Sequence, residues 1–289
     1  MFTEKEVIEP LISIGIPVQN GFHNKTRDNI DLEKALDSVL KQSYKNIEII
    51  ISNNCSIDKT KMFLDKISKT DKRIKLFNQK KEISGGENFQ FVLDQSKGKY
   101  FRWNAADDFM SIDYIKDNFN FLENNQDYVA SSSKFFFEND KNNYYSHSLN
   151  ENLYGRLKHF FNIRYSSHNV FFSLIRNDTL KKTSKMSNDY LANDWMINLD
   201  LLLNGKFKTI KDSYIVLGVK GVSKSKTFLK TEKYYNKKIY YLLPLFELTK
   251  EFFLKTIYAK QLKISEKIYL YFLCLKANLS FLKKRAKKL

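Results

Sequence analysis

The chain has 289 residues, 43% of them hydrophobic and 15% aromatic, which suits one large domain with an appendage and excludes a disordered protein. Its two cysteines, Cys55 and Cys274, form no CxxC pair, which argues against a disulfide framework or a structural zinc site and for a reducing compartment. The net charge of +17 is uneven: residues 220–289 carry 18 Lys and Arg against four Glu, the preceding 219 residues 31 against 28 acids. A near-neutral body therefore bears a strongly basic C-terminal region, and the two need separate explanations.

The N-terminal stretch "MFTEKEVIEPLISIGIPV" places acids before its apolar run, the wrong order for a secretory signal. Within it, "LISIGIPV" (11–18) is an apolar run ending near proline, as a strand buried on both faces would be. "NIDLEKALDSVLKQ" (29–42) sets Leu32, Ala35, Leu36, Val39 and Leu40 at helical spacing. A second strand over 47–54, a second helix over 58–69, a third strand over 73–78, a third helix over 86–98 and a fourth strand over 99–104 follow. This alternation predicts an α/β fold with a mainly parallel sheet covered on both faces by helices.

Beyond Asp108 the pattern loosens. The sequence predicts a helix over 111–125, a long strand over 128–140, a turn region at "NNYYSHS", a strand over 169–178 and a helix over 189–207. A last strand, "KFKTIKDSYIVLGV", precedes a region that reads as helical from about Phe228.

Ligands of such sheets sit beyond the carboxyl ends of the strands. Four segments land there: Pro17–Gly21, Ser52–Asp58, Ser84–Asn88 and Ala105–Asp108. They carry no GxGxxG, no GxxxxGK[ST], no GxSxG and no HExxH, and the four histidines are dispersed. What remains is carboxylate and amide chemistry at strand ends. Asp107 and Asp108 either cap the next helix or supply hard oxygen ligands to a magnesium or manganese ion. A metal–diphosphate ligand in that place would be a nucleotide-activated donor.

The stretches "PLISIGIPVQNG", "ALDSVLKQSYKNIEIIISNNCSIDKT" and "GGENFQFVLDQSKGKYFRWNAADD" resemble, in this order, the donor-binding half of a family 2 glycosyltransferase of bacterial surface-glycan type. "FFSLIRNDTL" and "NDWMINLDLLLNGKF" resemble later landmarks of that family; the last 80 or so residues are not covered. The resemblance implies a GT-A (Rossmann-like) fold over residues 1–222, with a donor half at about 10–110 and an acceptor half at about 111–222. Residues 223–289 are then a basic helical extension.

By the same resemblance, Pro17 and Asn20 lie in the first nucleotide-binding loop, and Asn53 stands where many members place an aspartate that accepts the uracil N3 proton. Gly86 and Asn88 line the donor pocket. Asp107 matches the metal-binding end of the DxD motif, with Asp108 beside it and Ala105 replacing the first aspartate. Asp194 matches the catalytic base, with Asp189 in reserve. The expected partners are a nucleotide-sugar donor, UDP-linked above all, a glycan or lipid-linked acceptor and a divalent metal.

For the C-terminal region, "IYLYFLCLKANLSFL" (268–282) followed by "KKRAKKL" is short for a transmembrane helix of about 20 residues. It suits an interfacial helix on an anionic inner leaflet, where each basic residue contributes about 1 kcal/mol. The expected location is therefore cytoplasmic, peripheral on the inner face of the plasma membrane. The competing readings are a nucleotidyltransferase, whose glycine-rich phosphate loop is missing after the first strand, and a nucleic-acid binder using the basic region. No nucleic-acid motif supports the latter, and nucleic acid is not an expected partner.

Overall fold

The computed structural model describes residues 9–22, 31–163, 168–186, 191–218 and 239–286. Strands β1 (Ile12–Val18), β2 (Ile47–Asn53), β3 (Ile74–Asn78) and β4 (Tyr100–Trp103) lie in the order β3-β2-β1-β4, all parallel. Every residue of β1, β2 and β4 is buried, which is why they read as apolar runs and not as alternating patterns. Helices α1 (Asp31–Leu40), α2 (Thr60–Ile67) and α3 (Gly85–Asp94) make the crossovers. α1 buries Leu32, Ala35, Leu36 and Val39. α3 opens on a capping box, in which the Ser84 Oγ accepts the Glu87 N–H and the Ser84 N–H donates to the Glu87 carboxylate.

The sheet continues as β4-β8-β6-β9-β5, and antiparallel neighbours enter it. β5 (Phe109–Met110), α4 (Tyr114–Asn124) and β6 (Tyr128–Phe137) come first in the chain, then β7 (Asp140–Tyr145) and α5 (Leu153–Ile163). α6 (His168–Phe171), β8 (Leu174–Arg176), α7 (Asn177–Leu180), α8 (Asn193–Asn204) and β9 (Lys206–Leu217) follow. β8 runs antiparallel to both β4 and β6, while β6 and β9 are parallel over a long, twice-shifted register. The expected α/β class holds, with a mixed, mainly parallel sheet.

Three elements differ from the sequence reading. The "NNYYSHS" turn region lies partly in β7, an outer strand that pairs only with β6 and therefore carries polar residues. Its Tyr145 ring stacks on Phe135 at 5.1 Å. The single strand expected over 169–178 is α6, then the short β8, then α7; the mostly buried stretch Val170–Ile175 carries both a helix and a strand and reads locally as one run. α5 was not anticipated at all, although Leu157, Phe160 and Phe161 sit at i, i+3 and i+4 and are all buried.

The C-terminal region is helical as expected: α9 (Ile239–Leu242), α10 (Phe246–Ile257) and α11 (Ile264–Ala286). Leu248 and Phe252 of α10 and Leu270, Leu273, Cys274 and Ala277 of α11 share one buried cluster with α5 and α8. Lys255 of α10 pairs with the buried Asp200 of α8 at 2.7 Å, and Asp200 also accepts the Ser184 N–H at 2.7 Å. The boundary expected between residues 222 and 223 lies outside the described residues.

Candidate active site

The four strand-end segments converge. After β1, Asn20 adopts a left-handed conformation (φ 50°) that its short polar side chain tolerates, and its Oδ1 accepts the Ile57 N–H at 2.8 Å. The Asn20 N–H donates to Ser56 Oγ at 2.8 Å and the Gly21 N–H to Thr60 Oγ1 at 2.7 Å, so the loops after β1 and β2 are knit into one wall. Pro17 is buried beside Ser52 at the end of this pair of strands.

Asn53, buried at the end of β2, donates from Nδ2 to Asn78 Oδ1 at 2.8 Å and accepts the Ser56 N–H on Oδ1 at 3.3 Å. That carbonyl oxygen retains a second lone pair. The next residue, Asn54, exchanges two hydrogen bonds with the Ile83 backbone, which fixes the approach to α3. Gly86 and Asn88 are buried in the first turn of α3. Asn88 Nδ2 donates to the Ser52 carbonyl, while its buried Oδ1 has no protein partner. A buried carbonyl oxygen without a donor is costly and is available to a ligand group.

The fourth segment carries two adjacent carboxylates past the end of β4. Asn104, fully buried, donates to the carbonyls of Ala105 and Asp108, each at 2.9 Å, and so clamps residues 104–108 into a turn. Arg102 stands behind it, fully buried, its guanidinium over the Tyr114 ring at 4.5 Å and bonded to Asn104 Oδ1, the Tyr114 hydroxyl and the Phe172 carbonyl. From β9 the Gly218 N–H donates to Asp108 Oδ1 at 2.9 Å, and a Cβ at Gly218 would overlap the Asp107 carboxylate. Sequence reasoning missed both Arg102 and Gly218. The first was hidden inside an aromatic strand, and the second carried no signal beyond glycine at a strand end.

Burial, and next the adjacent Asp107 carboxylate, push the Asp108 carboxyl up to about 7, with the Gly218 N–H and Arg102 opposing. Two carboxylates that resist joint ionisation are relieved by a divalent cation. The pair offers hard oxygen ligands of the kind that magnesium or manganese takes. Among the described residues no group of three or more His, Cys, Asp and Glu is placed to hold a metal by itself.

Asp194 lies in the first turn of α8, half-buried, and Ala192 (φ 60°) turns the chain sharply just before it. Desolvation raises its pKa above the ordinary carboxylate value, and the His168 imidazole and two backbone N–H groups partly offset this. His168 begins α6, whose Phe171 ring stacks on Trp103 of β4 at 4.5 Å and 4°. Asp189 lies outside the described residues. Asn20, Cys55 and Ala192 are the described non-glycine residues with positive φ, and all three flank these loops. Beside them a cleft of about 710 Å³ runs between α3 and α10, bordered by Gln79, Ile83, Gln90, Met186 and Glu251.

Comparison with known proteins adds a second line. Over 237 residues the chain is 26% identical to the glycosyltransferase GlyA of Streptococcus pneumoniae, a match covering 81% of this chain and 30% of that protein. The chain spans less than half the length of the curated relatives it matches. Staphylococcus aureus TarS 1–349 in complex with UDP-GlcNAc superposes with a TM-score of 0.67 at 15% identity, covering 94% of this chain and 74% of TarS 1–349. The mannosyltransferase PcManGT of Pyrobaculum calidifontis, in complex with GDP-Man and Mn2+, superposes with a TM-score of 0.57 at 14% identity, covering 98% and 86%. These likenesses place the fold in the GT-A class. The sequence profile described as glycosyl transferase family 2 matches residues 13–183, more than half of the chain, and the chain belongs to that family.

Proposed function

We propose that the protein is a metal-dependent, inverting glycosyltransferase that moves a sugar from a nucleoside-diphosphate donor, UDP-linked by preference, to a hydroxyl of a glycan or lipid-linked acceptor in bacterial surface-polysaccharide synthesis. The observation that carries this reading is the acid pair past the end of β4, held by Asn104 and Gly218 at the same edge of the parallel strands as the interlinked loops after β1, β2 and β3. Relatives and structural neighbours that are glycosyltransferases, one bound to UDP-GlcNAc and another to GDP-Man, support it.

In this reading Pro17 and Asn20 shape the wall for the nucleoside, and the Asn53 carbonyl oxygen receives a base N–H on its remaining lone pair. Gly86 admits the donor closely, and the unpartnered Asn88 Oδ1 receives one of its hydroxyls. Asp107 and Asp108 hold the divalent ion, which when bound offsets the charge growing on the departing diphosphate. Asp194 takes the proton of the acceptor hydroxyl as that oxygen forms its bond to the anomeric carbon and the bond to the diphosphate breaks. Its raised pKa makes it a stronger base than a solvated carboxylate, with the charge of His168 moderating the rise. The same reading places the enzyme on the inner face of the plasma membrane.

A screen of UDP- and GDP-sugars, with magnesium or manganese and then with chelator, tests the proposal. Metal-dependent release of the nucleoside diphosphate is expected with at least one UDP-sugar. If no nucleotide-sugar is hydrolysed and no nucleoside diphosphate raises the melting temperature, the reading falls.

A further inference from the structure

Helix α11 is apolar on two sides. Leu270, Leu273, Cys274 and Ala277 are buried in the body. Ile264, Ile268, Phe272, Leu275 and Leu279 are exposed, between 48% for Leu275 and 78% for Ile264. Their spacing of i, i+4, i+8, i+11 and i+15 puts them on one face. α10 extends this face: Leu254, Ile257 and Tyr258 are exposed at its C-terminal end. Lys267 Nζ donates to the Ile257 carbonyl at 2.6 Å, tying that end to the start of α11.

The rim of the face is cationic. Lys276 and Lys283 are exposed along α11, and Lys260 and Lys263 are exposed at the turn between the helices. From Lys283 the sequence runs on as KKRAKK. Glu266, the acid of α11, is engaged by the Lys263 N–H at 2.8 Å. No helix among the described residues is long and apolar enough to cross a membrane. An apolar helix face rimmed by lysines complements an anionic bilayer: the apolar side chains enter the acyl boundary while the ammonium groups reach the lipid phosphates.

We propose that the exposed face of the α10–α11 hairpin is the docking surface for an anionic lipid bilayer, with α11 lying in the plane of the interface. The inference rests on the membrane placement proposed above and narrows it. The docking element is a face of the folded body and not the basic tail acting alone. Because the opposite side of α11 packs in the same core as α8, lipid contact fixes the orientation of the helix that carries Asp194. A lipid-linked acceptor would then be met at a constant height above the membrane.

The test is co-sedimentation of the full chain with vesicles of phosphatidylcholine containing phosphatidylglycerol, and with phosphatidylcholine alone. The expected result is salt-sensitive binding to the first and weak binding to the second. Phe272→Ser with Leu275→Ser, and separately Lys276→Glu with Lys283→Glu, should each weaken it on the order of tenfold or more. Melting temperature and UDP binding are read on the same samples; the lysine pair keeps the test decisive if the serine pair melts low. Undiminished vesicle binding by both pairs, with loss only on removal of residues 284–289, overturns the proposal. So does a parent chain that ignores vesicles but forms a dimer abolished by the serine pair, since the face would then join two copies. Hydrolysis of soluble nucleotide-sugars and stabilisation by nucleoside diphosphates are measured without vesicles: the absence of both defeats the transferase reading and leaves the lipid result standing.

Discussion

The two halves of the sheet are built by different rules. In β1 to β4 each strand returns parallel to its neighbours through a helix, so the loops proposed to form the donor wall are carried to one edge by topology alone. In β5 to β9 antiparallel pairs are mixed with the parallel pair β6–β9, and the candidate residues are placed by other means: Asp194 on a helix start after a left-handed turn, Gly218 past a strand end. The first half presents a ligand surface by default; the second completes it through specific long-range contacts. Substitutions should accordingly separate donor capture from chemistry and from stability.

The largest effect is expected at the shared edge. Asp107→Ala removes one of two carboxylates available to the ion and should lower transfer on the order of 10³-fold or more with the fold intact. Steady-state transfer with metal and with chelator checks this; activity equal to the parent in chelator would dissolve the link between the acid pair and the reaction. Asp194→Asn, on the other half, should lower turnover by roughly 10²–10⁴ while donor affinity stays near that of the parent. Comparing kcat with the calorimetric Kd for UDP decides it.

The same residue sets a pH signature. Only ionised Asp194 can take a proton, and its pKa is raised by desolvation. Activity should therefore be full above that raised value and fall as pH drops through it, with a midpoint above the ordinary carboxylate range near 4. The acid limb should disappear in Asp194→Asn. A limb that survives the substitution at the same midpoint would assign the titration to another group.

A smaller effect probes the core that the second half shares with the C-terminal helices. Phe252 of α10 is fully buried, with its ring 5.6 Å from that of Phe161 of α5. Phe252→Ala should cost about 3–5 kcal/mol and lower the melting temperature of a single transition. Two separate transitions in calorimetry would mean that the helices melt on their own. The smallest effect lies in the donor half: Ser84→Ala removes one arm of the capping box of α3 and should cost about 1 kcal/mol in chemical denaturation.

The same contrast explains what could be read before any coordinates. β1 and β2 announce themselves because parallel strands buried on both faces are continuous runs of Ile and Val, and α1 because its apolar stripe has one period. The strand-end position of Asn20, Asn53, Asn88 and the acid pair followed from topology. β7 was illegible because an outer strand keeps polar residues, and the break between α6 and β8 because it falls inside the short apolar stretch Val170–Ile175. Arg102 and Gly218 were illegible for another reason. Each acts through a contact far along the chain, to the Phe172 carbonyl and to Asp108, and no local pattern records such a partner.

The bond from the Gly218 N–H to Asp108 also bears on how the protein is made. It joins residues 110 positions apart, so the donor wall leaves the ribosome long before the strand that finishes the acid turn. During synthesis at about 5–20 residues per second, the interval is roughly 5–20 seconds. Through that interval the nascent chain carries the strand-end loops with an unclosed acid turn, and the complete acid edge comes into being only once the end of β9 has been added.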